Sequence, residues 1–215
     1  DYGYILIDFD VLGLADADLS TVVSTARELG FAGLNVTFPF KQQILRSLDE
    51  LSADARGIGA VNNVVFEGNR SVGHNTDCWG FAEAFRTRMS DVSISHVLQL
   101  GAGGAGAAVA EALLGLGVGH LTLFDVDSGK AQELALQLNG RFSGRVSITT
   151  DANRACDRVD GVVNSTPVGM TKLPGMPLDS SVLRQNHWYA DIIYFPRETE
   201  LLRAARTRGR RVMPG

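Results

Sequence analysis

The sequence predicts an α/β fold: a parallel sheet covered by helices on both faces, with a smaller α/β domain ahead of it. Three observations carry that prediction. From Val97 onward, short apolar runs alternate with helix-forming segments, which is the pattern of strands that return in the same direction. Residues 97–106 read VLQLGAGGAG, an apolar strand running into a G-x-G-x-x-G turn at Gly101, Gly103 and Gly106, and AAVAEALLGLG continues as a helix. A second strand, HLTLFD, ends in Asp125, 19 positions after Gly106. Gly101 permits a sharp turn, Gly103 lets backbone approach a pyrophosphate, and Gly106 lets helix and strand pack closely. The helix N-terminus offers N–H groups and a positive dipole end to phosphates, and an acid at Asp125 suits a ribose diol. Together these imply a Rossmann-like, doubly wound sheet that binds a dinucleotide through Gly101, Ala102, Gly103, Gly104, Ala105 and Asp125. The bland alternative is an ordinary turn between strand and helix.

The elements follow in order. YGYILIDFDV, residues 2–11, reads as a strand, and DADLSTVVSTARELG, residues 16–30, as a helix with Asp or Ser caps and a terminal Gly. FAGLNVTFPF is a strand stopped by Pro39. KQQILRSLDELSADARGIG, residues 41–59, reads as an amphipathic helix with Ile44, Leu45, Leu48 and Leu51 on one face. AVNNVVFEGNRSVGHNT is a hairpin turning at Gly68-Asn69. A helix from Asp77 to Met89 leads into the β-α-β-α-β run that starts at Val97. VDGVVNSTP is a fourth apolar strand that breaks into a loop, HWYADIIYFP a fifth, ETELLRAARTRG a closing helix, and RRVMPG the start of a last strand. Polar RMSDVSISH, residues 88–96, separates two domains, 1–90 and 91–215. The chain starts within an element and stops at Gly215 just after a short one. The expectation is therefore that missing terminal segments complete the N-terminal domain.

Composition narrows the function classes. Hydrophobic residues make up 45% and charged residues 20%, ordinary for a globular protein that buries a core. A net charge of −4 leaves no basic footprint for nucleic acid. No apolar run approaches the roughly 18 residues of a membrane span. Two cysteines, Cys78 and Cys156, suggest packed thiols in a reducing, cytoplasmic setting.

A nicotinamide enzyme acting on an alcohol needs a group that moves the hydroxyl proton while hydride moves. No tyrosine has Lys four positions on, and the histidines, at 74, 96, 120 and 187, show no zinc-ligand spacing. What remains is polar residues at element ends: Asn35, Thr37 and Lys41 in NVTFPFK, Asn62 in GAVNN, and Asn75, Thr76 and Asp77 in HNTD. Singly, such residues are usually turn formers or caps. Three clusters within about 45 residues offer donors, acceptors, a carboxylate and an ammonium, a set suited to a polyhydroxylated substrate.

NVTFPFK, GAVNNVV, GHNTDCWGF, GAGGAG, NSTPVGM and DIIYFPRETELL resemble, in order and spacing, the motifs of the shikimate dehydrogenase family, which includes quinate/shikimate dehydrogenases. The resemblance runs from about Phe31 to Gly215. It implies a catalytic pair, Lys41 and Asp77, for which the plainer alternative is an ordinary ion pair between loops. It also implies substrate contacts at Thr37, Asn62 and Tyr194 in a smaller N-terminal substrate domain. Ser165, Thr166, Pro167, Val168 and Ile192 would flank the nicotinamide half, with Gly215 touching the cofactor. A lysine ammonium is a natural proton donor to a 3-keto group, and must be neutral for the oxidative direction. Two departures stand out. Asn63 replaces the commoner Thr, and the family's N-terminal Ser-x-Ser/Thr motif and C-terminal Gln are not among these residues.

NADP-specific members typically carry Asn-Arg-Thr or similar where this chain has Asp125. A carboxylate there repels a 2′-phosphate, Asp127 adds a second negative charge, and Lys130 partly offsets them near the adenine or ribose. Asp125 could instead be a plain helix cap. The expectation is a NAD-preferring quinate/shikimate dehydrogenase, with NADP as the alternative cofactor, acting on shikimate or quinate as a monomer or homodimer. The rival readings are an NADP-dependent biosynthetic shikimate dehydrogenase, a non-catalytic metabolite sensor, and a folate dehydrogenase on the same architecture.

Overall fold

The computed structural model describes residues 3–215. It divides into two compact units, one ending at Asn75 and one running from Thr76 to Gly215.

The first unit is built on a four-stranded mixed sheet. Its elements are α1 (Phe9–Leu12), α2 (Leu19–Glu28), β1 (Gly33–Asn35), β2 (Glu50–Leu51), α3 (Ala53–Ile58), β3 (Asn63–Glu67) and β4 (Arg70–His74), in the sheet order β1-β3-β4-β2. The hairpin β3–β4 turns at Gly68-Asn69 as the sequence suggests, pairing Glu67 with Arg70. β1 adds antiparallel to β3, and β2 adds parallel to β4. Leu19 and Val23 of α2 close over Val36, Ile44, Ala55, Val61 and Val64 to form the core.

Two expectations fail here. The strand expected in residues 2–11 does not form among the described residues, and Tyr2 lies outside them. Phe9–Leu12 is helical instead, because the Asp8 carboxylate accepts from the N–H groups of Asp10 and Val11 and caps a turn. Residues 41–59 are not one helix. They divide into a 3₁₀ segment, Gln43–Ser47, then β2, then α3. Asp49 is the cause. Its Oδ2 accepts from both the N–H and the hydroxyl of Ser71 at 2.7 Å, and Ser52 N donates to Gly73 O. These bonds draw residues 49–52 alongside β4, and Ser52 then caps α3 through Ala55 N. Leu45, Leu48 and Leu51 still pack on the Ile44 core, so the expected apolar face is present on a different backbone.

The second unit contains α4 (Asp77–Arg88), β5 (His96–Leu100), α5 (Gly104–Gly115), β6 (His120–Phe124), α6 (Ser128–Phe142), β7 (Val146–Ile148), α7 (Ala152–Ala155), β8 (Gly161–Asn164), β9 (Trp188–Asp191), α8 (Glu200–Thr207) and β10 (Val212–Met213). Every strand pair in its sheet is parallel, in the order β10-β9-β8-β5-β6-β7. The chain begins at β5 in the middle, winds out to β7, and returns to β8 on the other side of β5. That reversal is the switch point where doubly wound sheets leave a crevice at the carboxyl ends of the strands. Leu98 and Leu100 face Leu201, Leu202 and Ala205 of α8, and alternation along the strand sends Gln99 to the opposite face.

The sequence pattern assigns the helix Asp77–Met89 to the first domain; by compactness α4 groups with the second unit. Phe81, Ala82 and Phe85 are buried, Phe85 meets Trp188 edge-on at 5.1 Å, and Arg211 Nη2 donates to Arg88 O at 2.7 Å. The polar stretch of residues 88–96 forms the connection between α4 and β5. Among the described residues, no helix is long and apolar enough to cross a membrane.

Candidate functional site

In the first unit, main-chain bonds gather three of the predicted substrate-side residues. Val36 N donates to Asn62 O at 2.8 Å, Asn62 N donates to His74 O at 3.0 Å, and Val61 N donates to Lys41 O at 2.8 Å. Phe40 N closes on Thr37 O at 2.9 Å, so Thr37 and Lys41 lie on one turn beside Asn62. Lys41 is half-buried. Asn63, where the family commonly has Thr, donates from Nδ2 to Asn35 Oδ1 at 2.9 Å. Asn75 is buried and donates to Ala60 O, which ties the end of β4 to the Ala60–Asn62 segment. Asp77 belongs to the second unit, as the first residue of α4 after Thr76.

The glycine turn of the second unit is built by close approach. Gly101 has φ 96°, and a Cβ there would lie 2.8 Å from Ser165 O. At Gly106 a Cβ would sit 2.4 Å from Gly101 O, so α5 reaches the end of β5 only because that position carries no side chain. A Cβ on Gly103 would meet no protein atom within 4 Å. Sequence reasoning missed Gln99. It is fully buried, and its Nε2 donates to Gly101 O at 2.9 Å and Gly106 O at 2.8 Å, clasping both ends of the turn.

Asp125 is fixed against the same turn. Its Oδ2 accepts from Ala102 N at 2.7 Å and its Oδ1 from Asp127 N at 2.9 Å. The cap of α6 is Asp127, whose Oδ1 accepts from Gly129 N, so the plain-cap role belongs to Asp127 and not to Asp125. Lys130 is exposed on the first turn of α6. Gly103, ahead of α5, offers no side-chain cap to that helix. A bare helix N-terminus, an open position at Gly103 and a carboxylate held beside the loop form a donor and acceptor set that fits a dinucleotide.

The ends of β8 and β9 lie on the other side of the switch point. Ser165 Oγ donates to Leu100 O at 2.7 Å and to Gly101 O at 3.1 Å, which fastens the loop after β8 to the glycine turn. Thr166, Pro167 and Val168 continue that loop, and the N–H and hydroxyl of Thr166 both donate to Asn164 Oδ1. Ile192 N donates to Asn164 O, and a Cβ on Gly215 would lie 2.6 Å from the Ile192 carbonyl. Gly101, Ser165, Ile192 and Gly215 are thus brought together within this unit. Tyr194 is 72% exposed. Asn164, Asp191 and Thr199, to which the sequence pattern gives no role, form a buried polar group beneath these loops. A polar residue closing each of two otherwise apolar strands was the available signal.

His74 ends β4 beside Asn62, and the other three histidines sit elsewhere. His96 and His120 begin β5 and β6, and their Nε2 atoms bond Thr122 and Ser147 across the strands. His187 is buried against Tyr189. Cys156 is buried with its thiol pushed up to about 11, chiefly by burial, an inert packed thiol as expected.

A family model described as "Shikimate dehydrogenase substrate binding domain" matches residues 1–64. Over 100% of its length the chain is 46% identical to a shikimate dehydrogenase (NADP(+)) of Streptomyces avermitilis, 75% of which is covered. The chain belongs to the shikimate dehydrogenase family. A relative in this family, the quinate/shikimate dehydrogenase (NAD(+)) of Corynebacterium glutamicum, is 43% identical over 96% of the chain and 75% of that protein. The solved quinate dehydrogenase from Corynebacterium glutamicum in complex with NAD has a TM-score of 0.81 at 42% identity, covering 92% of this chain and 72% of that one. A model described as "ThiF family" matches residues 78–139, the stretch from α4 to α6 that carries the glycine turn. The α/β architecture expected from sequence, with a Rossmann-like sheet and a smaller N-terminal domain, is that of these shikimate and quinate dehydrogenase neighbours.

Proposed function

We propose that this chain is a NAD-preferring quinate/shikimate dehydrogenase. It interconverts the 3-hydroxyl and 3-keto forms of a cyclic polyol carboxylate, either shikimate with 3-dehydroshikimate or quinate with 3-dehydroquinate. The observation that carries the cofactor choice is Asp125, held by Ala102 N at the end of β6 beside the glycine turn. A carboxylate there accepts from ribose hydroxyls and repels a 2′-phosphate. Asp127 reinforces the repulsion, and Lys130 offsets part of it from the adenine side.

A nicotinamide bound there would supply the hydride acceptor for oxidation of the alcohol carbon and the hydride donor for the reverse reaction. Gly103, Gly104 and Ala105 would hold the pyrophosphate through the N–H groups at the start of α5, with Gly101 and Ala102, whose own N–H groups bond Phe124 O and the Asp125 carboxylate, shaping the turn against it. Ser165, Thr166, Pro167, Val168, Ile192 and Gly215 would bracket the nicotinamide half. Lys41 donates a proton to the keto oxygen during reduction and, when neutral, takes it from the hydroxyl during oxidation. Asp77 orients that lysine and accepts from a substrate hydroxyl. Thr37, Asn62 and Tyr194 hydrogen-bond the remaining polar groups of the substrate. On this reading the unit ending at Asn75 takes the substrate and the unit from Thr76 takes the dinucleotide.

A second reading, NADP-dependent shikimate dehydrogenase, is favoured by the 46% identity to the Streptomyces avermitilis protein. A panel of shikimate and quinate, each with NAD and NADP, separates the two by nicotinamide absorbance. The expected result is a higher kcat/KM with NAD. Equal or better efficiency with NADP would put the second reading first, and inactivity on every pairing would favour a metabolite sensor.

A further inference from the structure

Asp191 closes β9, is 1% exposed, and stands opposite Asn164 in the register of β8 and β9. Burial pushes its pKa up, against hydrogen bonds that act the other way. A carboxylate in such a place is kept only where its bonds do something an apolar residue could not. Its Oδ1 accepts from Ile193 N at 3.0 Å, and its Oδ2 accepts from Asn164 Nδ2 at 3.1 Å and Thr199 Oγ1 at 2.8 Å.

Each donor opens a different segment. Asn164 shapes the loop after β8, accepting from Thr166 with Oδ1 and donating to Val168 O with Nδ2. Ile193 begins the segment that carries Tyr194. Thr199 caps α8 through Leu202 N. Gly169 packs against the last two segments, since a Cβ there would lie 3.2 Å from both Ile193 Cδ1 and Thr199 Cγ2.

Resting on the functional reading above, we propose that Asp191 is a positioning residue for hydride transfer. Its carboxylate ties the loop 164–169 to the segment 192–199, so that the nicotinamide-flanking residues and Tyr194 move as one body. The chemistry of the group requires an acid. All three partners donate, and the Thr199 hydroxyl is the one that can turn to accept. Asp191→Asn keeps the volume yet points an NH₂ at Ile193 N–H or at the Asn164 amide.

Two measurements on the full chain test this. In the ligand-free protein, Asp191→Asn is expected to speed amide hydrogen exchange in 165–169 and 193–199 together, with 101–106 unchanged. In turnover, kcat should fall about 10- to 100-fold and the primary deuterium isotope effect on kcat should rise. The dissociation constant for NADH should move less than about threefold, since the glycine turn and Asp125 carry none of the three bonds. If Asp191→Asn does not fold, Thr199→Val decides the matter, with the same directions at smaller size and recovery in Thr199→Ser. Exchange that quickens only in α8, or in one segment alone, with kcat and isotope effect unchanged, would overturn the role of Asp191. Wild-type inactivity on shikimate and quinate with either dinucleotide would instead overturn the functional reading, and the exchange pattern would still judge the coupling.

Discussion

Lys41 and Asp125 make the sharpest tests at the scale of single residues. Lys41→Ala removes the proposed proton donor, and general acid–base groups typically supply about 10²–10⁴-fold. The expected outcome is a kcat lower by that range, with NAD affinity measured by titration unchanged, because the proposed dinucleotide contacts belong to the other unit. A variant keeping more than about a third of wild-type turnover would remove Lys41 from the mechanism. Asp125→Ala acts differently. It deletes the proposed ribose acceptor and also the bond to Ala102 N. Hydrogen bonds to a charged group are worth about 1.5–3 kcal/mol, so kcat/KM with NAD should drop about tenfold or more. Efficiency with NADP should drop less, narrowing the ratio between them. An unchanged NAD to NADP ratio would show that the carboxylate does not read the ribose.

The glycine turn and the strand N-termini show what elements require beyond single residues. In Gly106→Ala the new Cβ would sit 2.4 Å from Gly101 O, a main-chain atom that Gln99 also clasps. Overpacking of this kind costs about 1–3 kcal/mol, and here it also displaces the end of β5 from α5. Both a lower Tm and weaker NAD binding are expected, and weakened binding with an unchanged Tm would contradict the packing argument. At the opposite end of the sheet, His96 and His120 meet edge-on at 5.0 Å, with Thr122 and Ser147 bridging their Nε2 atoms. Burial, then the His120 charge, lowers the His96 pKa. The unfolded chain takes up this proton near its ordinary value of about 6.5, where the folded chain resists it. Below that pH the unfolded state binds more protons, so this contribution to stability falls as pH drops. Urea midpoints should decline from about pH 7 to about pH 5, and His96→Gln should flatten the decline. A midpoint unaffected by that substitution across the range would assign the acid sensitivity elsewhere.

For the whole molecule, the cofactor proposal becomes a statement about stability. A ligand that binds only the folded chain raises its stability by RT ln(1 + [L]/Kd), about 2.7 kcal/mol at a hundred times Kd. At equal concentrations NAD should therefore raise Tm more than NADP, in the order of their affinities, and a larger shift with NADP would reverse the proposed preference. Two compact units need not unfold in a single step, so the melt should be followed by more than one probe. On the proposed function, the NAD-dependent shift is expected in the unit from Thr76 to Gly215, which holds the glycine turn and Asp125.

The second unit was legible residue by residue because its signals are local. Apolar runs of strand length, a turn whose glycines are demanded by main-chain contacts, and an acid after the next strand all act over a few residues, and the parallel sheet follows from their alternation. The motifs NVTFPFK, GAVNN, GHNTD and NSTPVGM likewise marked the family before any coordinate. The first unit was less legible. Residues 41–59 have helical apolar spacing, yet Asp49 and Ser52 bond to β4, a partner about 20 residues away, and sheet pairing overrides the local preference. The expected strand at residues 2–11 gives way to a turn that Asp8 caps. Trp188 draws α4 into the second unit through Phe85, which no local signal announces. Gln99, Asn164, Asp191 and Thr199 escaped notice for the same reason. A buried polar residue acquires its meaning from the partners that fill its hydrogen bonds, and those partners become neighbours only when the tertiary structure folds them together.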